Sequence, residues 1–167
     1  MRHDWLDRML SQRLHNLQTN YSLADSSGDP MIMFAYMVAQ CTIVYLCQIR
    51  LSAASSRAPG AQNSHQEQLQ ERMLWAAQEI GRLAKDQVYL YFHAHTFVPL
   101  AIFLGATKLK SYLQEREASP PGVGIEVVEK SLQATLEALR KLGRMNELAV
   151  HYLKILESDN VTELDWA

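Results

Sequence analysis

Apolar residues return along the first twenty positions at steps of three to five, as Trp5, Leu6, Met9, Leu10, Leu14, Leu17 and Tyr21. That spacing lines one face of a helix and predicts a first helix over about 4–21. A Ser-, Asp- and Gly-bearing stretch, Ser22 to Asp29, interrupts the pattern. Asp29 followed by Pro30 then supplies an N-cap and a first-turn proline, which predicts a second helix running to about Ala53. Polar residues with Pro59 and Gly60 mark a flexible loop at about 54–64. Ser64 with Glu67 forms the sequence of a capping box, and Leu69, Met73, Trp75, Ala76, Ile80, Leu83 and Ala84 carry a third helix to about Val88.

The run Tyr89 to Thr96 is aromatic and histidine-rich, and Pro99 has no amide to donate deep inside a helix. The helix is therefore expected to break near His93 and restart with Thr96 as its cap, giving a fourth helix over Phe97 to Arg116 whose half up to Ala106 is buried. Ser119, Pro120, Pro121, Gly122 and Gly124 predict a turn. Val127, Val128, Leu132, Leu136, Leu139 and Leu142 predict a fifth helix closed by Gly143, and Asn146 caps a last one presenting Leu148, Ala149, Tyr152, Leu153 and Leu156. No segment alternates with period two, and no internal repeat is visible. The fold class expected is all-α, a single compact bundle of about six helices occupying residues 1–167 as one domain, a length sufficient to close a core without disulfides or metal.

Charge narrows the function classes. Sixteen basic residues stand against 18 acidic ones, net −2, and no window gathers Lys and Arg as a phosphate-tracking surface requires, so direct contact with nucleic acid is not expected. The two cysteines, Cys41 and Cys47, lie on an apolar stretch without the spacing of a metal site or a disulfide framework, which fits a reducing intracellular compartment. Arg2, His3 and Asp4 follow Met1, so no signal peptide is expected. Met31 to Cys47 holds only Gln40 and Thr42 as polar residues, yet stops short of the ~20 apolar residues a membrane helix needs. A buried core helix is expected there, with no membrane association.

Candidate chemistry is sparse. His93 and His95 are the tempting pair, since two imidazoles one residue apart can ligate a metal from an extended segment. On a helix they would point to different sides, no third ligand accompanies them, and no carboxylate stands at a spacing for acid–base work; a polar junction is the expected role, with no metal and no cofactor. Ser111, Ser119 and Ser131 lack a nucleophile elbow, and the Pro121–Gly124 run lacks the Lys and Ser or Thr of a phosphate loop. Glu126 and Glu129 suit the positive end of a helix dipole. No catalytic residue is expected, so the chain is not read as an enzyme. Met31, Met33 and Met37 together with Phe34, Tyr36, Tyr45, Phe97 and Phe103 are core-forming residues that can also line an adaptable apolar cavity, and a small-molecule site, if present, is expected at Phe34, Tyr36, Tyr45, Phe97 and Phe103.

Two stretches carry a family resemblance. The first is Asp29-Pro30, then Tyr36, then Ile43-Val44-Tyr45-Leu46-Cys47-Gln48-Ile49-Arg50; the second is His95 through Thr107 around Pro99 and Phe103, followed by Ser131-Leu132-Gln133 and Asn146-Glu147-Leu148-Ala149. In order and spacing, from about Trp5 to Leu156, the chain resembles the C-terminal portion of the fungal-specific transcription factor regulatory domain, the middle homology region of binuclear zinc-cluster regulators. Cys47 and Gln48 stand where that family often has His and Arg. The resemblance implies a nuclear helical regulatory domain whose DNA contact is made elsewhere, by a cluster needing six close cysteines where this chain has two. It implies protein partners, either the transcription machinery or a second copy of the chain, and a small-molecule effector. The competing expectation is a cytoplasmic, dimer-forming ligand-binding domain of a bacterial-type repressor, and a metalloenzyme on His93 and His95 ranks below both.

Overall fold

The computed structural model describes residues 2–20, 29–55, 63–86, 96–117 and 124–158. They form six helices: α1 (Arg2–Asn20), α2 (Pro30–Ser55), α3 (Asn63–Asp86), α4 (Val98–Glu117), α5 (Ile125–Leu142) and α6 (Glu147–Glu157). No strand occurs among the described residues, and the helices make a compact bundle. The loop expected at 54–64 and the pair His93 and His95 fall largely or wholly outside the described residues.

Helix starts follow the side chains able to satisfy free amides. The Asp29 carboxylate accepts from the Met31 amide at 2.8 Å and the Ile32 amide at 3.3 Å, which fixes the start of α2. Asn146 does the same for α6, accepting from the Leu148 amide at 3.0 Å. The start of α4 differs from expectation. Phe97, not Thr96, takes the cap position, and its carbonyl accepts from the Leu100 and Ala101 amides at 3.1 and 3.4 Å. The reason is Pro99. A Thr96 cap would draw on the amides of positions 98 and 99, and proline at 99 has none. The helix α3 begins at Asn63, one residue before the expected Ser64 cap, and the side chains of both lie outside the description.

Two glycines act through space. Gly124, with φ +114°, precedes α5 and accepts from the Val127 and Val128 amides, a left-handed position that a side chain would strain. Gly143 closes α5 as expected but is right-handed, at φ −60°. What it provides is room, because a Cβ there would stand 3.1 Å from Val150 Cγ2 of α6.

α3 packs against α2, α4 and α5, while α4 also meets α2, α5 and α6. The shared core holds Met37, Ala76, Ala77, Ile80, Leu83, Ala84, Ile102, Ala106, Leu109 and Leu139, all fully buried or within 2% of it. Each large side chain among them removes enough apolar surface from water to contribute about 2 kcal/mol. The first half of α4 is buried as expected, from Val98 to Ala106 except for part-buried Leu100 and Leu104. The outer positions of other helices depart from expectation. Trp5 and Met9 are exposed because α1 packs chiefly on α2, with Leu14 its buried contact, and Trp75, Val127 and Leu148 point away from the core.

By length and composition alone, Pro30–Ala53 with a mean hydropathy of 1.7 is long and apolar enough to cross a membrane, so the apolar stretch is longer than the Met31–Cys47 run suggests. One face of it, Met33, Tyr36, Met37, Gln40, Ile43, Val44 and Cys47, is buried in the bundle. Gln40 is the anomaly on that face: it is 1% exposed, and its Oε1 has no hydrogen-bond partner among the described residues. A buried acceptor left unmade costs about 1–3 kcal/mol. Gln40→Met, which keeps the volume and removes the acceptor, is therefore expected to raise unfolding stability by about 1 kcal/mol in urea titration, and a loss of stability would show that the amide is satisfied in solution.

Candidate functional site

A helix that is apolar on all sides needs neighbours on all sides. Among the described residues α2 does not have them. Beside its buried face runs a second stripe at seven-residue steps, Met31, Val38 and Tyr45, exposed by 59, 43 and 52%. Where this stripe faces α4 the two helices leave an open groove of about 350 Å³.

One wall comes from α2, through Phe34, Val38, Cys41 and Tyr45; the other comes from Phe97 just before α4 and from Leu100, Ala101 and Leu104 within it. At the base, the Cys41 thiol donates to the Ala101 carbonyl at 3.7 Å, a polar bond that ties the two walls. Polar side chains in the lining are few. The Thr42 hydroxyl donates to the Val38 carbonyl at 2.8 Å and the Thr107 hydroxyl to the Phe103 carbonyl at 2.9 Å, so both hydroxyl protons are turned into their own helices. Val44, Gln48 and Lys108 complete the lining.

Desolvation in this wall pushes the Cys41 thiol up to about 12, against 9.0 ordinarily, with a bond to its own backbone opposing the shift. At pH 8 this leaves roughly a thousandfold less thiolate than on a solvated cysteine, and thiolate is the reactive form. Iodoacetamide at pH 8 is therefore expected to leave Cys41 unmodified in the folded chain and to label it readily in guanidinium, as read by mass spectrometry. Fast labelling of the native chain would contradict this environment.

Of the five residues expected to line an apolar site, Phe34, Tyr45 and Phe97 stand together in the groove. Tyr36 and Phe103 do not. Tyr36 is 1% exposed on the buried face of α2, and Phe103 is 2% exposed and stacked on Tyr152 of α6, with ring centroids 4.6 Å apart. Each lies about two residues round its helix from a groove-lining position, which is enough to turn a side chain from one face to another. Val38, Cys41, Leu100 and Leu104 belong to the groove without having been singled out. The signal for the α2 pair was the seven-residue spacing that joins Val38 to Met31 and Tyr45, and Cys41 to Phe34 and Gln48.

A second depression of about 310 Å³ lies between α3 and α5, lined by Lys85, Lys130, Glu137 and Lys141 among others. Three of these four charges are engaged in ion pairs. Glu137 meets Lys141 at 2.6 Å, a contact that holds the carboxyl below its ordinary value, and Lys130 meets Glu126 at 2.6 Å. No group of three or more His, Cys, Asp or Glu able to hold a metal ion occurs among the described residues.

The chain is similar to fungal pathway-specific regulators over almost its whole length. It is 32% identical over 157 residues, 93% of the chain, to a pigment biosynthesis transcriptional activator of Monascus ruber. It is 30% identical over 156 residues, again 93% of the chain, to a citrinin biosynthesis transcriptional activator of Monascus purpureus, and 29% identical over 153 residues, 90% of the chain, to a tropolone cluster transcription factor of Talaromyces stipitatus. These stretches cover 26, 25 and 26% of the respective relatives, so the chain spans about a quarter of their length. No family model matches the chain, and no solved structure matches it.

Proposed function

We propose, with the similarity to fungal transcriptional activators as premise, that this chain is a regulatory domain of a zinc-cluster type transcription factor, acting in the nucleus and responding to an effector or a partner. The observation that carries the reading is the extent of the similarity. Nine-tenths of the chain aligns with proteins named as transcriptional activators or transcription factors, in a stretch only a quarter as long as they are. The charge balance and the two cysteines fit a segment that leaves DNA contact to another module. Its partners in this reading are the transcription machinery or a second copy of the chain.

A helical bundle regulates by shifting between arrangements of its helices, and a ligand shifts them only by binding one better than the other. A tenfold change in output needs about 1.4 kcal/mol of differential binding. The α2–α4 groove is the place to apply it, because α2 is packed on one side and open on the other. The test is a fusion of residues 1–167 to a foreign DNA-binding module in a fungal reporter strain. Reporter output severalfold different from that of the module alone is expected, changing with growth condition. Output equal to the module alone under every condition would overturn the reading.

A further inference from the structure

No residue from Met31 to Ile49 is charged, so the outward side of α2, through exposed Met31, Ala35, Val38 and Tyr45, is apolar along its length. Outward sides elsewhere in the bundle are built differently: Glu71, Arg82 and Lys85 of α3 and Glu129, Lys130 and Glu137 of α5 are exposed. A surface left to water carries about 25–35% charged residues, and a monomer rarely exposes a large contiguous apolar patch. We infer that this face of α2, with the groove beside it, is covered by the same face of a second copy of the chain, the two α2 helices lying antiparallel about a two-fold axis at Val38. This names the partner in the regulatory reading and rests on it for biological meaning, while its physical test does not.

The stripe is complementary to itself. Met31, Val38 and Tyr45 follow one another at seven-residue steps, about 10.5 Å each along a helix, so a two-fold axis at the middle residue sets Met31 against the partner's Tyr45 at both ends. Two-fold pairs are the commonest homo-oligomers and need a self-complementary patch of this kind. The sizes agree with it. Narrow Val38 meets its own copy at the centre, and each slim, adaptable methionine meets a tyrosine ring in a favourable sulfur–aromatic contact. A parallel pair would set Tyr45 on Tyr45 and Met31 on Met31, wide at one end and narrow at the other, with the helix dipoles aligned. The uncharged stripe repels no second copy, and it offers no charge to select a differently charged partner.

The area is sufficient for a weak dimer. The antiparallel overlap about Val38 runs from Pro30 to Leu46, and α4 flanks α2 across the groove. Each copy therefore presents two helices over about 25 Å of length and about 20 Å of width, which buries about 1,000 Å² in total, the lower limit for a specific interface. Phe97, 53% exposed, and part-buried Leu100 and Leu104 extend the apolar surface onto the second wall.

The test uses the full 167-residue chain. In sedimentation equilibrium its mass is expected to climb from 19.0 kDa toward twice that value as concentration rises to about 100 µM, and the thermal midpoint to climb with it. Val38→Glu and Val38→Lys each set like charges across the axis and are expected to weaken self-association about a hundredfold, while an equimolar mixture of the two restores it. In a Cys41→Ser background, Val38→Cys is expected to give a covalent dimer on mild oxidation, whereas Met31→Cys and Tyr45→Cys do so only when mixed with each other. A chain that stays at 19.0 kDa at every concentration would overturn the proposal, since the face would then belong to a different occupant. So would a dimer that neither charge variant weakens, or one in which Met31→Cys crosslinks to itself. Should the charge variants unfold, as read by circular dichroism, the mass and the crosslinks decide alone. The reporter fusion can fail while the chain dimerises, or the reverse, so the two readings fall separately.

Discussion

Gly105→Val is expected to destabilise the fold by about 3 kcal/mol, near the upper end for overpacking a core and enough to lower the thermal midpoint by roughly 6–12 °C in a chain of this size. Two effects compete at this position. Glycine inside a helix costs about 1 kcal/mol relative to alanine, so any side chain begins with an intrinsic gain. Against it, a Cβ at 105 would stand 3.0 Å from Ile80 Cγ2 and 3.1 Å from Ile80 Cβ. Ile80 is fully buried, and its Cβ is fixed to the backbone of α3, so no rotamer change moves it away. The helices must separate, and valine's two further methyls make the separation larger. Gly105→Ala should therefore come close to neutral or be mildly destabilising, while valine is severe. Ile80→Ala placed in the Gly105→Val chain should return part of the loss, giving a favourable coupling in a double-mutant cycle by urea denaturation. A valine variant that melts within two degrees of the parent would mean that α3 and α4 are not in this contact.

Phe103→Ala is expected to cost about 4 kcal/mol, the usual range for truncating a buried aromatic being 3–5. Phe103 is 2% exposed, and its ring lies 17° from parallel with that of Tyr152, centroids 4.6 Å apart. Truncation leaves a void between α4 and α6 and strips the stacking partner from Tyr152. Phe103→Leu should recover more than half of the loss, because it refills volume without the stack. The stack itself should appear as about 1 kcal/mol of coupling between Phe103→Ala and Tyr152→Ala. Chemical denaturation read by far-ultraviolet circular dichroism measures these variants and the Phe103→Ala, Tyr152→Ala double variant. A loss below 1 kcal/mol for Phe103→Ala would place the ring outside the core.

The helices were legible because caps and periodicity are local. Asp29 and Asn146 each name a helix start and are found accepting from the amides that a cap serves. The misplaced details have non-local or indirect causes. Thr96 is the right type for a cap, but what it would bond is decided three residues later by Pro99. Gly143 is the right residue to end α5, yet the demand it meets is set by Val150 across the turn and not by its own backbone angles. The groove was half legible for the same kind of reason. Composition marks α2 and α4 as aromatic, and periodicity divides α2 into two apolar stripes, but which stripe is covered depends on where α3 and α4 settle. Tyr36 went to the covered side and Tyr45 to the open one. His93 and His95 lie outside the described residues, so the fold has nothing to add to what their spacing implies.

At 11 residues α6 is shorter than the ~12–15 at which even a favourable isolated helix becomes marginal in water. Its supports along α4 occur at three levels: the Asn146 amide reaches the Thr96 carbonyl at 3.5 Å, Tyr152 stacks on Phe103, and the Lys110 ammonium donates to the Leu156 carbonyl at 2.7 Å and the Ser158 carbonyl at 3.4 Å. The last of these puts a cation at the negative end of the α6 dipole. A helix held at its beginning, middle and end by one neighbour has little opening of its own to report. In native-state hydrogen exchange the amides of α6 should therefore share one opening free energy with those of α4 from Ile102 to Leu109, the two helices exchanging as a single cooperative unit. Separate exchange of α6 at a free energy several kcal/mol lower would show that these three ties do not hold together in solution.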